Sequence, residues 1–208
     1  MPNITRGKGW IKDLPDFRDQ TLTTERLTEK QKSKGIKKPV GDILKGLAGA
    51  KKPVKGAAAT KHDLREWCSP IENQGSLGSC TAHAGTALYE YYEKRAFGKY
   101  IDGSRLFLYK ATRNLLKWEG DDGATLRATM GALALFGVVP EKYWPYLEHK
   151  FNEEPSAFLY SFAQNYQAIS YYRLDGVGVT KPALLQKIKE HLVNGLPLIF
   201  GFTCYSSL

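Results

Sequence analysis

Cysteine is scarce in this chain: 208 residues contain only Cys68, Cys80 and Cys204. Three thiols make no disulfide framework, so the fold must rest on an apolar core. A reducing compartment and a reduced, reactive thiol are the expectation. No apolar run approaches the roughly 20 residues that cross a bilayer as a helix, which argues against a membrane partner. The opening MPNITRGKGWIKDLPD lacks an apolar h-region. A cytoplasmic location is therefore expected, with export by another route as the alternative. Histidine is limited to His62, His83, His149 and His191, none spaced with cysteine as in a zinc site, so no metal or other cofactor is expected. No internal repeat is present.

Positive charge is in excess, +9 overall, and it is unevenly placed. Residues 1–62 hold 15 Lys/Arg against 6 Asp/Glu, while residues 63–208 hold 15 of each. The basicity belongs to a leader on a neutral domain, which reads as a separable tail. Lys30, Lys32, Lys34, Lys37, Lys38, Lys51, Lys52 and Lys55 lie among scattered Gly and Pro, and only Ile43, Leu44 and Leu47 suggest a short turn. Such a stretch reads as loosely draped. Nucleic acid is a weak candidate partner, because Trp10 and Phe17, the aromatics able to stack on bases, stand apart from the lysines. An apolar content of 42% in the whole chain is enough for a core.

The chemistry concentrates in Ile71–His83, IENQGSLGSCTAH. Cys80 stands at the start of an apolar-periodic helix, where the positive end of the helix dipole favours a thiolate. Gln74, six residues upstream, can turn an amide donor toward the same spot, and Gly75 and Gly78 let the backbone between them bend. Nucleophile, oxyanion donor and tight turn suit acyl transfer at a carbonyl. The bland alternative is a buried structural cysteine, which has no use for Gln74 and the glycines.

Gln74-Gly75-Ser76-Leu77-Gly78-Ser79-Cys80-Thr81-Ala82 resembles the active-site segment of papain-like (C1) cysteine peptidases, Q-G-x-C-G-S-C-W-A. Leu77 stands where secreted members have a disulfide-bonded cysteine, and Thr81 replaces the usual Trp; both resemble the family's bacterial branch. The resemblance implies an α+β, two-domain fold with a helical domain followed by a β-rich one. It also implies a cysteine endopeptidase with Cys80 as nucleophile, Gln74 in the oxyanion hole and a polypeptide substrate. Gly9, Trp10 and Asp13-Leu14-Pro15-Asp16, with Arg18-Asp19, resemble the G-W-x-x-D-L-P-D-x-R-D segment that precedes bacterial members. That segment either packs on the domain or shields the cleft as a short propeptide. Asp63-Leu64-Arg65 resembles the start of the mature enzyme, which sets the boundary of a 1–62 leader and a 63–208 peptidase domain. Residues 63–165 would form the helical subdomain and 166–208 the start of the β-rich one.

A helix is predicted from Cys80 to about Phe97, N-capped by Ser79, ended by Gly98 and buried along Ala84, Ala87, Leu88 and Tyr91. His83 lies on this helix and reads as a structural polar residue, and Cys68 as a buried filler. A second helix is predicted over Ser104–Lys117 with Leu108, Leu115 and Leu116 in contact, then a third running to Phe136 and stopped by Gly137. Between them, Asp122-Gly123 match the family's Gly-Gly pair, which implies substrate contact there together with Gly78 and Ser79. The Asp121 and Asp122 carboxylates either favour a basic substrate side chain or cap the third helix, and capping is the simpler reading. Tyr143-Trp144-Pro145-Tyr146 reads as packing. Beyond it, Ala168–Leu174 and Pro197–Thr203 read as strands. Lys181–Asn194 reads as a helix with Leu184, Leu185, Ile188 and Leu192 on one face.

A thiolate alone does not complete hydrolysis, since the leaving amine needs a proton. Papain-like enzymes carry their His and Asn roughly 130–150 residues beyond the Cys, here from about position 210. The expectation is an inactive fragment or zymogen, poorly soluble alone, whose His and Asn come from a complementing C-terminal segment. The alternatives are a non-catalytic papain-fold module that binds protein or nucleic acid, and a transpeptidase using the same site.

Overall fold

The computed structural model describes residues 9–24, 27, 29–35, 61–168 and 170–203. The lysines at 37, 38, 51, 52 and 55, the Ile43–Leu47 turn and Cys204 lie outside the described residues. Two compact units emerge, one drawing on 9–13, 67–168 and 199–203, the other on the described parts of 14–66 and 169–198. The described elements are helix-rich with few strands, in line with an α+β fold.

The first unit is built on three helices: α2 (Cys80–Phe97), α3 (Arg105–Leu116) and α4 (Leu126–Leu135). Gly98, at φ +70°, ends α2 in the left-handed conformation that glycine adopts without strain. The Ser104 hydroxyl caps α3 by accepting from Phe107 N, and the Thr125 hydroxyl caps α4 by accepting from Ala128 N. Capping of α4 thus falls to Thr125 and not to the aspartates, whose carboxylates are used elsewhere. In α3, every residue from Arg105 to Arg113 is buried, with Leu106, Phe107, Leu108, Tyr109 and Ala111 all fully enclosed. Leu116 packs on this core, whereas Leu115 is exposed.

The buried face of α2 differs from the expected one: it runs through Thr81, Ala82, Gly85, Thr86, Glu90 and Tyr91, and Ala87 is exposed. The reason is close packing through small and hydroxylated residues. A Cβ at Gly85 would lie 3.1 Å from Thr129 Cγ2, and Thr129 Oγ1 donates to Thr81 Oγ1 at 3.0 Å. Glu90 joins that face because it is paired: Arg105 Nη2 lies 3.1 Å from its Oε2, and Gly103 N donates to its Oε1 at 2.9 Å. A buried charge is tolerated when it is paired and hydrogen-bonded.

A two-stranded parallel sheet joins β1 (Trp10–Ile11) to β2 (Ala124–Thr125), pairing Trp10 with Ala124 and Ile11 with Thr125. Asp13 follows β1 and approaches Arg127 Nη1 at 3.6 Å. Trp10 is therefore tied into the first unit, whereas Leu14 and Phe17 are 73% and 95% exposed. After α4 come α5 (Ala157–Ala163) and short 3-10 turns at Glu141–Tyr143, Glu148–Lys150 and Gln164–Tyr166.

In the second unit, α1 (Glu29–Ser33) is a short helix that the sequence pattern did not predict. Gln20 and Gln31 exchange side-chain hydrogen bonds, and Arg173 N donates to Gln20 O at 2.7 Å. The Thr180 hydroxyl caps α6 (Lys181–Val193), and its one buried residue is His191, so the expected stripe is half-buried and Leu185 is exposed. The two expected strands are corrected. Among the described residues, 168–174 has a single bridge, Thr21 with Arg173, and 197–203 has no ladder. Phe200 and Phe202 are 76% and 58% exposed. A strand exists only when a neighbour satisfies its backbone groups, and β-branched composition does not supply one.

Candidate active site

Cys80 is the first residue of α2, with the helix's first backbone bond running from His83 N to Ser79 O at 3.1 Å. The nucleophile candidate therefore stands where unsatisfied N–H groups and the dipole's positive end converge. Ser79 occupies the N-cap position, but its hydroxyl makes no cap bond. It instead shares a hydrogen bond with Tyr146 Oη at 2.6 Å and approaches His83 Nδ1 at 3.3 Å.

The loop before Cys80 is strapped on both sides. Gly75 has φ +59°, and a Cβ there would overlap the Glu148 carboxylate, so the turn needs glycine. Glu148 accepts from Ser76 N at 3.2 Å and from the Ser76 hydroxyl. Tyr146 Oη donates to Gln74 O at 2.9 Å, and Gln74 Nε2 donates to Leu77 O at 2.8 Å. A primary amide carries two N–H donors, so one bond can fix the side chain while the second serves chemistry. On the other side, Gly78 N donates to both oxygens of Asp121, at 2.9 and 3.0 Å.

Asp121 is held in turn by α3. Tyr109 Oη donates to Asp121 Oδ1 at 2.5 Å and accepts from Gly123 N at 3.2 Å. One turn along, Arg113 donates to the carbonyls of Glu119 and Gly120 at 2.9 Å each, and its guanidinium lies 4.6 Å from the Tyr109 ring centre. Gly78 and Gly123 form two bare backbone walls. Gly9, the residue before β1, lies against both: a Cβ on Gly9 would overlap the Gly78 carbonyl, and one on Gly123 would overlap Gly9 O. Gly9 O accepts from Ala124 N at 2.7 Å. The Trp10 ring lies on Gly201, where a Cβ would overlap it. The leader thus enters the first unit as a strand, beside the loop that carries Cys80.

This arrangement has counterparts among known proteins. An uncharacterized peptidase C1-like protein of Acanthamoeba polyphaga mimivirus is 32% identical over 208 residues, covering 98% of this chain and 63% of that protein. Xylellain, a cysteine protease from Xylella fastidiosa, superposes with a TM-score of 0.61 at 26% identity, over 89% of this chain and 63% of its own. Digestive procathepsin L 3 of Tenebrio molitor larval midgut shares the fold, with a TM-score of 0.51 at 18% identity over 74% and 51% of the two chains. In sequence and in fold, the chain is similar to papain-like (C1) cysteine peptidases. No family model matches it. It spans 63% of the length of the mimivirus relative.

Within that papain-like frame, Cys80, Gln74, Gly78 and Ser79 come together as one loop at the tip of α2, and Gly123 borders them. Asp122 is exposed on the turn between Asp121 and Gly123. His83 is engaged within its own helix: Nδ1 lies 3.1 Å from Ser79 O, and the ring meets Tyr146 edge-on at 5.1 Å. Burial holds its pKa below the usual imidazole value, against the raising effect of the Ser79 carbonyl. His191 lies 2.7 Å from Lys187 O through Nδ1 and 2.9 Å from Tyr172 Oη through Nε2. Cys68, expected as a filler, is exposed, and its carbonyl accepts from Lys94 Nζ. It sits in a stretch without secondary structure.

Sequence reasoning missed Tyr109, Glu148 and the use of Asp121 and Tyr146. Tyr109 and Arg113 at i and i+4 on a helix were a signal, since that spacing puts both on one face. The bonds they make reach loops that local pattern cannot locate.

Proposed function

We propose that the chain carries the nucleophile half of a cysteine peptidase active site acting on extended polypeptides. The supporting observation is that Cys80 heads α2 while Gln74 and Gly78, in the loop leading to it, are held by named bonds to Leu77 and Asp121. In this reading the Cys80 thiolate attacks a peptide carbonyl carbon. The resulting oxyanion is stabilised by the Gln74 amide and the Cys80 backbone N–H. In this reading the leaving amine takes its proton from a histidine of the kind papain-like enzymes carry roughly 130–150 residues beyond the cysteine; His83 and His191 are engaged in their own helices. Water then hydrolyses the thioester. Gly78, Ser79, Asp122 and Gly123 line the groove for substrate backbone. The leader acts as a propeptide-like strap, with Gly9 lying against the backbone of Gly78 and of Gly123. The chain alone is then an inactive fragment or zymogen.

The test is labelling of the 208-residue chain with a peptidyl vinyl sulfone, followed by peptide mapping, with Cys80→Ala as control. Labelling at Cys80 well above Cys68 and Cys204 is expected. Equal, slow modification of all three cysteines counts against an assembled thiolate site.

A further inference from the structure

We infer that Tyr109 and Asp121 form a positioning clamp that fixes the spacing of the Gly78 and Gly123 walls, and so governs how well an extended peptide is gripped. The inference rests on the peptidase reading above and assigns part of its substrate discrimination to two residues that touch neither nucleophile nor substrate. Gly78 and Gly123 carry no side chains, so only backbone packing and hydrogen bonds can set their separation. A Cβ on Gly78 would already meet Asp121 Oδ1 and Gly123 N at 3.2 Å. Beside that packing, a continuous chain of bonds joins the two glycines. Gly78 N donates to Asp121 at 2.9 and 3.0 Å, Asp121 accepts from Tyr109 Oη at 2.5 Å, and Tyr109 Oη accepts from Gly123 N at 3.2 Å.

Each link suits a clamp. The bonds into the carboxylate are charge-assisted, hence stronger than neutral ones. A tyrosine hydroxyl both donates and accepts, so one atom can join a carboxylate to an amide. Tyr109 is fully buried in α3, and its ring is held by the Arg113 guanidinium, so the hydroxyl has a fixed origin. Burial and the Asp121 carboxylate also raise its pKa, which keeps the donated proton in place.

The experiment measures second-order rates of Cys80 modification by two reagents, iodoacetamide and a peptidyl vinyl sulfone, in the 208-residue chain. Exposed Cys68 serves as the internal reference. Iodoacetamide needs only the thiolate, whereas the peptidyl reagent also needs the walls. Tyr109→Phe keeps the ring and removes the link. It is expected to lower the peptidyl-to-iodoacetamide ratio at Cys80 about tenfold, the worth of a hydrogen bond to a charged group, with the iodoacetamide rate within twofold. Asp121→Asn, on an exposed turn where folding is not at stake, keeps one acceptor and is expected to lower the ratio by a smaller factor. An unchanged ratio in both variants, or an equal fall with both reagents, overturns the clamp. A wild-type ratio at Cys80 no higher than at Cys68 overturns the peptidase reading and the clamp with it.

Discussion

Helices α3 and α6 are nearly equal in length, 12 and 13 residues, yet they are built for opposite surroundings. Nine consecutive residues of α3 are buried, and in α6 only His191 is. The helix buried on all sides is also the one that orients the candidate site, through Tyr109, Arg113 and the loop they hold. Elements with many buried contacts open rarely, and lightly buried ones open often. The nucleophile loop is therefore tied to the least yielding part of the described chain. Preorganised donors cost no rearrangement when charge develops, which is what an oxyanion site needs. The stripe Leu184, Leu185, Ile188 and Leu192 of α6 has helical period but stays half-exposed, so period alone does not tell a core helix from a lightly covered one.

The sharpest way to break this contrast is to truncate the core side of it. Phe107 is 0% exposed, and Phe107→Ala is expected to cost about 3–5 kcal/mol, the range for removing a buried aromatic. Urea unfolding followed by circular dichroism checks it; a loss below about 1 kcal/mol would show α3 to be less enclosed than its burial implies. Gly9→Ala comes next. The new methyl group has no room beside the Gly78 carbonyl, so β1 should leave β2 and take the Gly9–Ala124 bond with it. Peptidyl labelling of Cys80 should then rise about tenfold, equivalent to roughly 1.4 kcal/mol of released leader. An unchanged rate means that the leader does not shield the site.

The packed region should also titrate. Burial pushes the Glu141 carboxyl up to about 7, against the lowering effect of the Tyr146 N–H that it accepts. Between an ordinary carboxylate value and 7, the folded state holds a proton that the unfolded state releases. Stability conferred at low pH is therefore lost as pH rises from about 4.5 through 7. His83 works in the opposite sense: its folded pKa is lowered, so its contribution is lost as pH falls below about 6.5. Unfolding midpoints across pH 4.5–7.5 should therefore fall less steeply on the alkaline side in Glu141→Gln than in wild type. The acid-side loss should persist. Equal slopes would mean that Glu141 is ionised in the folded protein throughout.

Much of this was legible in advance because it is local. Cys80 to Phe97, the Gly98 stop, the second and third helices and the Lys181 helix follow from period and punctuation, and their bounds agree to within a residue or two. The nucleophile loop was legible because its glycines and glutamine are contiguous. What pattern could not reach was partnership across the chain. Asp121 looked like a helix cap because caps are local, and it serves Gly78 instead, 43 residues away. Ala168–Leu174 and Pro197–Thr203 looked like strands by composition, but strands depend on a neighbour that composition does not name. The face of α2 shifted because Gly85 and the Glu90–Arg105 pair admit close approach that an apolar count does not weigh.

The smallest expected effect tests the other side of the contrast. Leu185 has the right type and spacing for a core position, and a reading from periodicity alone would assign its truncation about 2–5 kcal/mol. In the folded chain it is 53% exposed. Its side chain then loses little contact on truncation, and the gain in helix propensity from alanine offsets part of that loss. Leu185→Ala is accordingly expected to change stability by no more than about 0.5 kcal/mol, as for an ordinary surface substitution. Measured beside Phe107→Ala in the same urea titration, the pair separates burial from periodicity as the source of stability. A Leu185→Ala cost above about 2 kcal/mol would mean that Leu185 is covered in solution and that the contrast between α6 and α3 fails.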